Sequence, residues 1–157
     1  MLGRVNYHRG FTLLELLIVL GIAAIIGAVA VPSYQSFLQQ ERHTRTVNQL
    51  QSLYKFARSE AIKRETEVIV ARVPNTLNQW QVKVPKLDDQ VIRSAAFNDS
   101  AIIIKGASSL PFNTRGGTQA LAIEISDSKA FAATKWLCVF PSGQLVVQAA
   151  SCQAAGA

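Results

Sequence analysis

The sequence of 157 residues has few of the side chains on which most catalytic and metal sites depend, with only two cysteines and two histidines. Two cysteines exclude a disulfide-dense miniprotein and a four-cysteine zinc module. Charged residues make up only 17% of the chain and hydrophobic residues 49%, which excludes a disordered chain. The formal charge of +6 permits binding to nucleic acid or an anionic surface without requiring it. The length fits one domain of ordinary size.

The polar residues that are present form no recognisable catalytic arrangement. His43 stands alone among charged residues, so we expect its side chain to be solvated, and no cluster has metal-ligand spacing. Asp88 and Asp89 are adjacent, and adjacent side chains on an extended chain point to opposite sides, which makes a poor acid–base pair. Gly116 and Gly117 lack the following helix of a phosphate-binding loop. The sequence therefore predicts a protein that is not an enzyme and needs no cofactor or metal.

The prominent feature that is present is one long apolar run, residues 11–31 (FTLLELLIVLGIAAIIGAVAV). A helix of this length, at about 1.5 Å per residue, spans a hydrocarbon core of roughly 30 Å. Arg4 and Arg9 precede the run, so the positive-inside tendency keeps the short leader in the cytoplasm and predicts that the rest lies outside it. A secretory signal peptide is the alternative, because residues 28–30 (AVA) resemble a cleavage site, although its apolar core is normally shorter.

Glu15 is the charged residue within this apolar run. A carboxylate in a membrane segment costs on the order of a few kcal/mol unless it is paired. One interpretation is a side chain near the membrane interface with no further role. The other is a pair with a free α-amine, which Phe11 supplies one helical turn away if the chain is cut after Gly10.

Residues 10–15 (GFTLLE), with a short basic leader before them and the apolar run after them, resemble the processing site of type IV prepilins. The resemblance implies that a membrane-embedded prepilin peptidase cuts between Gly10 and Phe11. It also implies that the same enzyme methylates the new amine of Phe11. Glu15 is then expected to help subunits dock in a helical filament, with its own amine or a neighbour's as partner.

Pro32 ends the apolar run, where pilins often carry a helix-kinking proline. Because proline removes a backbone donor and clashes with the preceding turn, we expect a weak point there. We expect this stretch to bend or melt when the subunit moves from bilayer to filament. Apolar residues at helical spacing continue to about residue 65. The basic residues of this stretch, Arg58 among them, mostly lie off the apolar stripe, and we expect them to form a solvated face. The prediction is a cleaved leader, residues 1–10, and one long helix with a transmembrane half, residues 11–31, and an amphipathic half, residues 33–65.

After residue 65 the pattern changes to short β-branched or alternating segments. The predicted strands are residues 66–73, 79–84, 90–97, 101–105, 119–126, 135–140 and 144–148. A long helix followed by two hairpins and several short strands predicts an α+β fold. In it, residues 66–157 form a β-rich domain whose antiparallel sheet packs on the helix.

Residues 56–64 (FARSEAIKR), followed by a strand, resemble the signature of the GspH/FimT family, and residues 111–117 (PFNTRGG) resemble a family turn between strands. The family includes pseudopilins of type II secretion and the FimT- and FimU-type minor pilins of type IV pili. The resemblance implies a minor pilin, anchored in the inner membrane with its globular part in the periplasm, that joins the filament or its tip and helps to initiate pilus assembly. Its expected partners are major and minor pilins, prepilin peptidase and the inner-membrane assembly platform. A type II secretion pseudopilin is an alternative.

Cys138 and Cys152 are both expected to lie outside the cytoplasm, where disulfides persist. A bridge between them closes a loop of about fifteen residues and ties the tail to the last hairpin. Two free thiols are the alternative.

A further alternative is DNA uptake in natural transformation, because FimT-like relatives bind DNA through a C-terminal Gly-Arg-x-Arg motif. The corresponding residues here, 143–146, read GQLV, so the arginines are missing. Without Arg4 and Arg9 the mature chain has 14 basic and 10 acidic side chains, a modest excess for a DNA-binding protein. Candidate contacts, if folding gathers them, are Arg93, Lys105, Arg115, Lys129 and Lys135.

Overall fold

The structure of the protein, a computed structural model, describes residues 11–76 and 78–152. Gly10 and the rest of the predicted leader therefore lie outside the described residues. The chain divides into two compact units, of which the first ends at Phe37 and the second begins at Leu38.

Helix α1 extends from Leu13 to Arg64, and Pro32 lies inside it. The helix continues through Pro32, so the expected bending or melting stays a prediction. The C-terminal end of α1 is a Schellman motif, in which the Thr66 amide bonds the Ala61 carbonyl and the Glu65 amide bonds the Ile62 carbonyl. Glu65 adopts the left-handed conformation (φ 50°) that this motif requires.

In the first unit, α1 carries the apolar run. All of its large hydrophobic side chains from Phe11 to Val31 are exposed. Among the described residues, α1 is the one helix that is long and apolar enough to cross a membrane. This unit therefore presents an apolar surface that its own side chains leave uncovered.

The described residues of the second unit, 38–76 and 78–152, form the rest of α1 and eight strands. The strands are β1 (Val68–Arg72), β2 (Gln79–Val84), β3 (Gln90–Ala96), β4 (Ile102–Lys105), β5 (Ser109–Phe112), β6 (Leu121–Asp127), β7 (Lys135–Val139) and β8 (Leu145–Gln148). They form two antiparallel sheets of four strands, with the orders β3-β2-β1-β5 and β4-β6-β7-β8. A single 3₁₀ turn, Pro85–Leu87, lies between β2 and β3.

The α+β fold is confirmed, but the expectation of one sheet is wrong. Strand β5 was not predicted, because residues 111–117 resemble a family turn between strands and Pro111 was assigned to that turn. In the structure, Pro111 lies opposite Ile69 of β1, and β5 is an edge strand, where proline is tolerated. The seven predicted strands are present, with ends shifted by at most two residues.

One core joins α1 to both sheets. Tyr54 and Leu50 of α1 are fully buried in it, as the helical spacing predicted. Strand β2 is buried at every second residue, which is the half-buried alternation expected of QWQVKV. Each sheet contributes a set of fully or nearly fully buried side chains to the core: Val68, Val70, Trp80, Val82, Val84, Leu110 and Phe112 from the first, and Ile102, Ile104, Ile123, Ile125, Leu137 and Val139 from the second.

Within this core, Tyr54 has an unusual electrostatic environment. Among the described residues, the buried Tyr54 Oη, Trp80 Nε1 and Arg72 Nε have no hydrogen-bond partner. The Arg72 guanidinium carbon lies 5.1 Å from the centroid of the Trp80 ring. Burial raises the pKa of Tyr54 well above its ordinary value, and the positive charge of Arg72 offsets only part of this effect. The phenol is therefore neutral across the physiological pH range.

The raised pKa of Tyr54 predicts a loss of stability in alkaline solution. A raised folded-state pKa stabilises the fold below the unfolded-state pKa of about 10, and this contribution is lost as the pH rises above it. We expect the free energy of unfolding of Tyr54→Phe to fall less steeply above pH 10 than that of the wild type. Urea denaturation of the full chain in detergent at several pH values measures both slopes. Tyr34→Phe, at an exposed position, is the matched control, and equal slopes in the wild type and Tyr54→Phe would contradict the prediction.

Candidate functional site

The first turn of α1 contains Glu15, the residue predicted to dock, and Phe11, the predicted first residue of the processed chain, precedes the helix. The Oγ1 atom of Thr12 accepts a hydrogen bond from the amide N–H of Glu15 at 3.2 Å. Thr12 and Glu15 have the spacing of a capping box, so Glu15 lies at the third helical position. We did not predict the helix-capping role of Thr12, although Thr followed three residues later by Glu is the sequence pattern of a capping box.

Glu15 is exposed and lies in the first turn, where the partial positive charge of a helix N-terminus favours a carboxylate. Phe11 precedes the helix and is 85% exposed. The hydrogen bonds of residues 11–76 and 78–152 include none to the Glu15 carboxylate. Cleavage after Gly10, methylation of Phe11 and docking through Glu15 stay predictions.

The predicted disulfide is present and joins Cys138 to Cys152. Cys138 is buried in β7, and Cys152 follows β8, with 5.6 Å between their Cα atoms. Because β8 pairs with β7, the bond fastens the chain beyond β8 to the neighbouring strand. It therefore holds the last hairpin closed at its C-terminal side.

Removing the disulfide should destabilise the second unit. A bridge across a loop of about fifteen residues contributes about 3 kcal/mol in the chain-entropy model. We expect Cys138→Ala/Cys152→Ala to lower the free energy of unfolding by about that amount in urea denaturation. The wild type in reducing agent should match the double variant, and reducing agent should leave the double variant unchanged. An unchanged midpoint in the double variant would disprove the contribution.

Arg58, within the family-like stretch at the end of α1, links three segments. Its Nε donates to the Gly116 carbonyl at 3.2 Å, and its Nη2 donates to the Ser142 carbonyl at 3.0 Å. Gly116 lies in the turn between β5 and β6, and Ser142 lies in the turn between β7 and β8. Our expectation that Arg58 belongs to a solvated basic face is therefore wrong, because its side chain is half-buried against two turns.

The two turns meet closely beside Arg58. Gly143 has a φ of +75°, and a Cβ atom there would overlap the carbonyl oxygen of Gly116 and crowd the Arg58 guanidinium. The Thr118 amide bonds the Pro141 carbonyl at 3.0 Å, which holds the same two turns together. The stretches FARSEAIKR and PFNTRGG thus share one structural role, the junction of α1 with both sheets.

Replacing Arg58 with lysine should weaken this junction. A lysine has no planar fork of donors, so it cannot bond both carbonyls in the same geometry. Hydrogen bonds to a charged group contribute about 1.5–3 kcal/mol, and we expect Arg58→Lys to lose about that much stability in urea denaturation. The matched control is Arg45→Lys, an exposed residue of the same helix, which should change stability by less than about 0.5 kcal/mol. Equal losses of stability in the two variants would contradict the predicted contribution of the Arg58 hydrogen bonds.

The five basic residues considered for DNA lie on separate parts of the second unit. The Arg93 guanidinium lies 4.8 Å from the centroid of the Phe56 ring, and Lys105 Nζ is 3.8 Å from Glu124 Oε1. Arg115 belongs to the turn that bonds Arg58. Arg93 lines a recess with Asn48 and Ser52 of α1, whereas Lys129 lines another with Gln39 and Arg42.

Lys129 and Lys135 lie near the start of the helical segment of the second unit. Lys135 shares a recess with Gln40 and His43 of α1. Arg58 lies fifteen residues after His43, or about 22 Å along a helix, so Arg115 is remote from this lysine pair. Folding therefore does not bring the five candidates into one basic patch.

The expectation that the His43 side chain is solvated is wrong. It is almost fully buried, and its Nε2 donates to the Ile125 carbonyl of β6 at 3.1 Å. The ring is a satisfied core side chain where α1 packs on the second sheet. Within the described part of the chain, no three histidine, cysteine, aspartate or glutamate side chains come together as a metal site.

Comparison with protein-family models gives two matches along the chain. The model described as type II transport protein GspH matches residues 46–143, which is more than half of the chain. The chain belongs to the GspH family. The model of the prokaryotic N-terminal methylation motif matches residues 5–31. The GspH match spans the Arg58 junction, and the methylation match spans the predicted cleavage position and Glu15.

The sequence of the chain is similar to only part of each of several curated relatives. A fimbrial protein of Pseudomonas aeruginosa is 38% identical over 67 residues, which is 43% of each chain. Fimbrial protein Q of Moraxella bovis is 44% identical over 45 residues, or 29% of each chain. The prepilin peptidase-dependent protein D of Escherichia coli (strain K12) is 53% identical over 33 residues, or 21% of this chain and 23% of that protein. The matched stretch thus spans less than half of these relatives.

The fold is shared with a solved structure. The type IV minor pilin FimU of Pseudomonas aeruginosa (strain PAO1) superimposes with a TM-score of 0.63, covering 75% of this chain and 98% of FimU. The sequence identity is 12%, so this likeness concerns the fold alone. It confirms the expected type IV pilin-like arrangement of a long N-terminal helix and antiparallel sheets.

Proposed function

We propose that this member of the GspH family is a minor pilin of a type IV pilus. The observation that carries the proposal is the exposed apolar first part of α1, which lies within the match to the N-terminal methylation motif. Such a surface needs lipid before assembly and the helices of neighbouring subunits afterwards. The GspH match and the FimU-like fold of the rest of the chain agree with this function.

Processing prepares the N-terminus for this role. Hydrolysis of the peptide bond between Gly10 and Phe11 by prepilin peptidase frees the α-amine of Phe11, which the enzyme then methylates. A cationic amine and the Glu15 carboxylate in an apolar setting attract each other far more strongly than they do in water. Pairing with the amine of a neighbouring subunit sets the axial position of the incoming helix, which is how Glu15 directs docking.

The same reasoning gives a location and partners. The chain is held in the inner membrane by residues 11–31 with the second unit in the periplasm, and then moves into the filament or its tip. Its partners are major and minor pilins and the inner-membrane assembly platform, and it contributes to the initiation of assembly. The function is structural and involves no catalysis by this chain.

Loss of the Glu15 carboxylate tests docking. In a strain that lacks the chromosomal gene, we expect Glu15→Ala to be cleaved and methylated but to be at least about tenfold depleted from sheared filaments. Removing one partner of a buried ion pair costs about 3–5 kcal/mol, because the other charge is left unpaired, and about 1.4 kcal/mol already corresponds to tenfold. Immunoblots of sheared filaments and of membranes measure the ratio. Glu41→Ala, on an exposed part of the same helix, is the matched control and should assemble normally.

The docking claim fails if Glu15→Ala enters filaments as the wild type does. The proposed function as a whole fails if the wild-type chain itself is absent from sheared type IV pili.

A minor pseudopilin of type II secretion is the second candidate, and the GspH description of the family model favours it. It shares the processing and the membrane helix, so those features do not separate the two functions. A strain from which the gene for this chain is deleted separates them. Loss of surface piliation with normal secretion supports the minor pilin, and loss of secretion with normal piliation supports the pseudopilin.

A further inference from the structure

A polar recess lies in the second unit, beside the first turns of its helical segment. Its volume is about 480 Å³, and it lies between α1, the loop before β4 and the turn after β6. Its polar lining consists of Gln39, Arg42, Asn98, Asp99, Ser100 and Lys129. Neither the core nor the Arg58 junction accounts for this combination of side chains.

Two buried polar atoms in this lining have no hydrogen-bond partner among the described residues. One is the donor Gln39 Nε2, on a side chain that is only 6% exposed, and the other is the acceptor Asp99 Oδ2. The second carboxylate oxygen of Asp99 is engaged, because it accepts the Ala101 amide at 2.9 Å. A buried polar group without a partner costs about 1–3 kcal/mol. The recess thus has one buried donor and one buried acceptor without a partner among the described residues.

The outer part of the recess is positively charged. Arg42 Nη1 is 3.7 Å from Asp99 Oδ2, which is too long for a hydrogen bond, and the Arg42 side chain is 60% exposed. Lys129 is exposed, and its backbone amide, not its side chain, bonds the Asp127 carboxylate in the turn. Two cations and one anion leave a net positive charge, and both cations have donors free for a ligand.

We propose that this recess binds an acidic peptide segment of a neighbouring pilin subunit. The backbone of that segment accepts from Gln39 Nε2 through a carbonyl and donates to Asp99 Oδ2 through an N–H. An aspartate or glutamate of the same segment pairs with Arg42 and Lys129. A free inorganic anion satisfies only the donors and leaves Asp99 Oδ2 unpartnered, which is why the geometry favours a peptide.

This inference rests on the proposed function, because the partner is another subunit of the same filament. It adds a contact of the second unit to the docking of the apolar helix. The two contacts use different chemistry, so variants can separate them.

The test uses the full chain in its own host, with a photo-crosslinking phenylalanine derivative at Ser100, which lines the recess, or at exposed Ser109 on β5 as the control position. After irradiation, sheared filaments are analysed by mass spectrometry for the cross-linked peptide. We expect position 100, and not position 109, to cross-link a pilin peptide that contains an aspartate or glutamate.

Variants of the recess identify the contacts that matter. We expect Lys129→Glu and Arg42→Gln each to lower the cross-link yield about fivefold, as loss of an exposed ion pair does at the upper end of its range. Gln39→Leu should lower it similarly without lowering the unfolding midpoint, because it removes an unpartnered amide. Lys86→Glu, an exposed charge reversal outside the recess, is the matched control and should leave the yield unchanged.

Several results overturn the inference. They are cross-links to peptides without acidic residues, cross-links to nucleic acid or lipid alone, and a yield insensitive to all three recess variants. If the chain is in the filament but position 100 gives no cross-link, the recess proposal fails and the proposed function stands. If the chain is absent from the filament, both fail.

Discussion

Uncovered apolar surface on the first part of α1 is the constraint on which the rest of this account depends. The large hydrophobic side chains from Phe11 to Val31 are exposed, and apolar surface of this extent is stable only against lipid or other apolar helices. The first part of α1 lies within the match to the methylation motif, and Glu15 is the acidic residue in its first turn. A single ion pair in such an environment provides direction that apolar contacts lack.

In the second unit, two four-stranded sheets pack on one helix. The shared apolar core supplies most of the cohesion, while polar contacts fix the edges. Arg58 bonds two turns that belong to different strand connections, and the disulfide between Cys138 and Cys152 fastens the chain after the last strand. The Arg58 junction lies about 28 Å from Gln39 along the helix, so it is remote from the polar recess.

Much of this fold was readable from local patterns, and the exceptions have physical causes. The long helix, the strand alternation and the disulfide were each predicted from local patterns or from the pair of cysteines, and all three are present in the structure. Strand β5, which contains Pro111, was not predicted. Proline is tolerated in it because β5 lies at the edge of its sheet, and the position of a strand in a sheet cannot be read from the segment alone. His43 and Arg58 were read as solvated, because their carbonyl partners come from strands and turns more than fifty residues away. The Gln39 recess likewise forms from three distant segments, so no local pattern predicted it.

The most direct test of the central claim is mass spectrometry of sheared, purified filaments from the native host. The account predicts a peptide of this chain that begins with N-methylated Phe11, recovered in small amounts relative to the major subunit. Recovery of the chain only from membranes, or with residues 1–10 still attached, would contradict it.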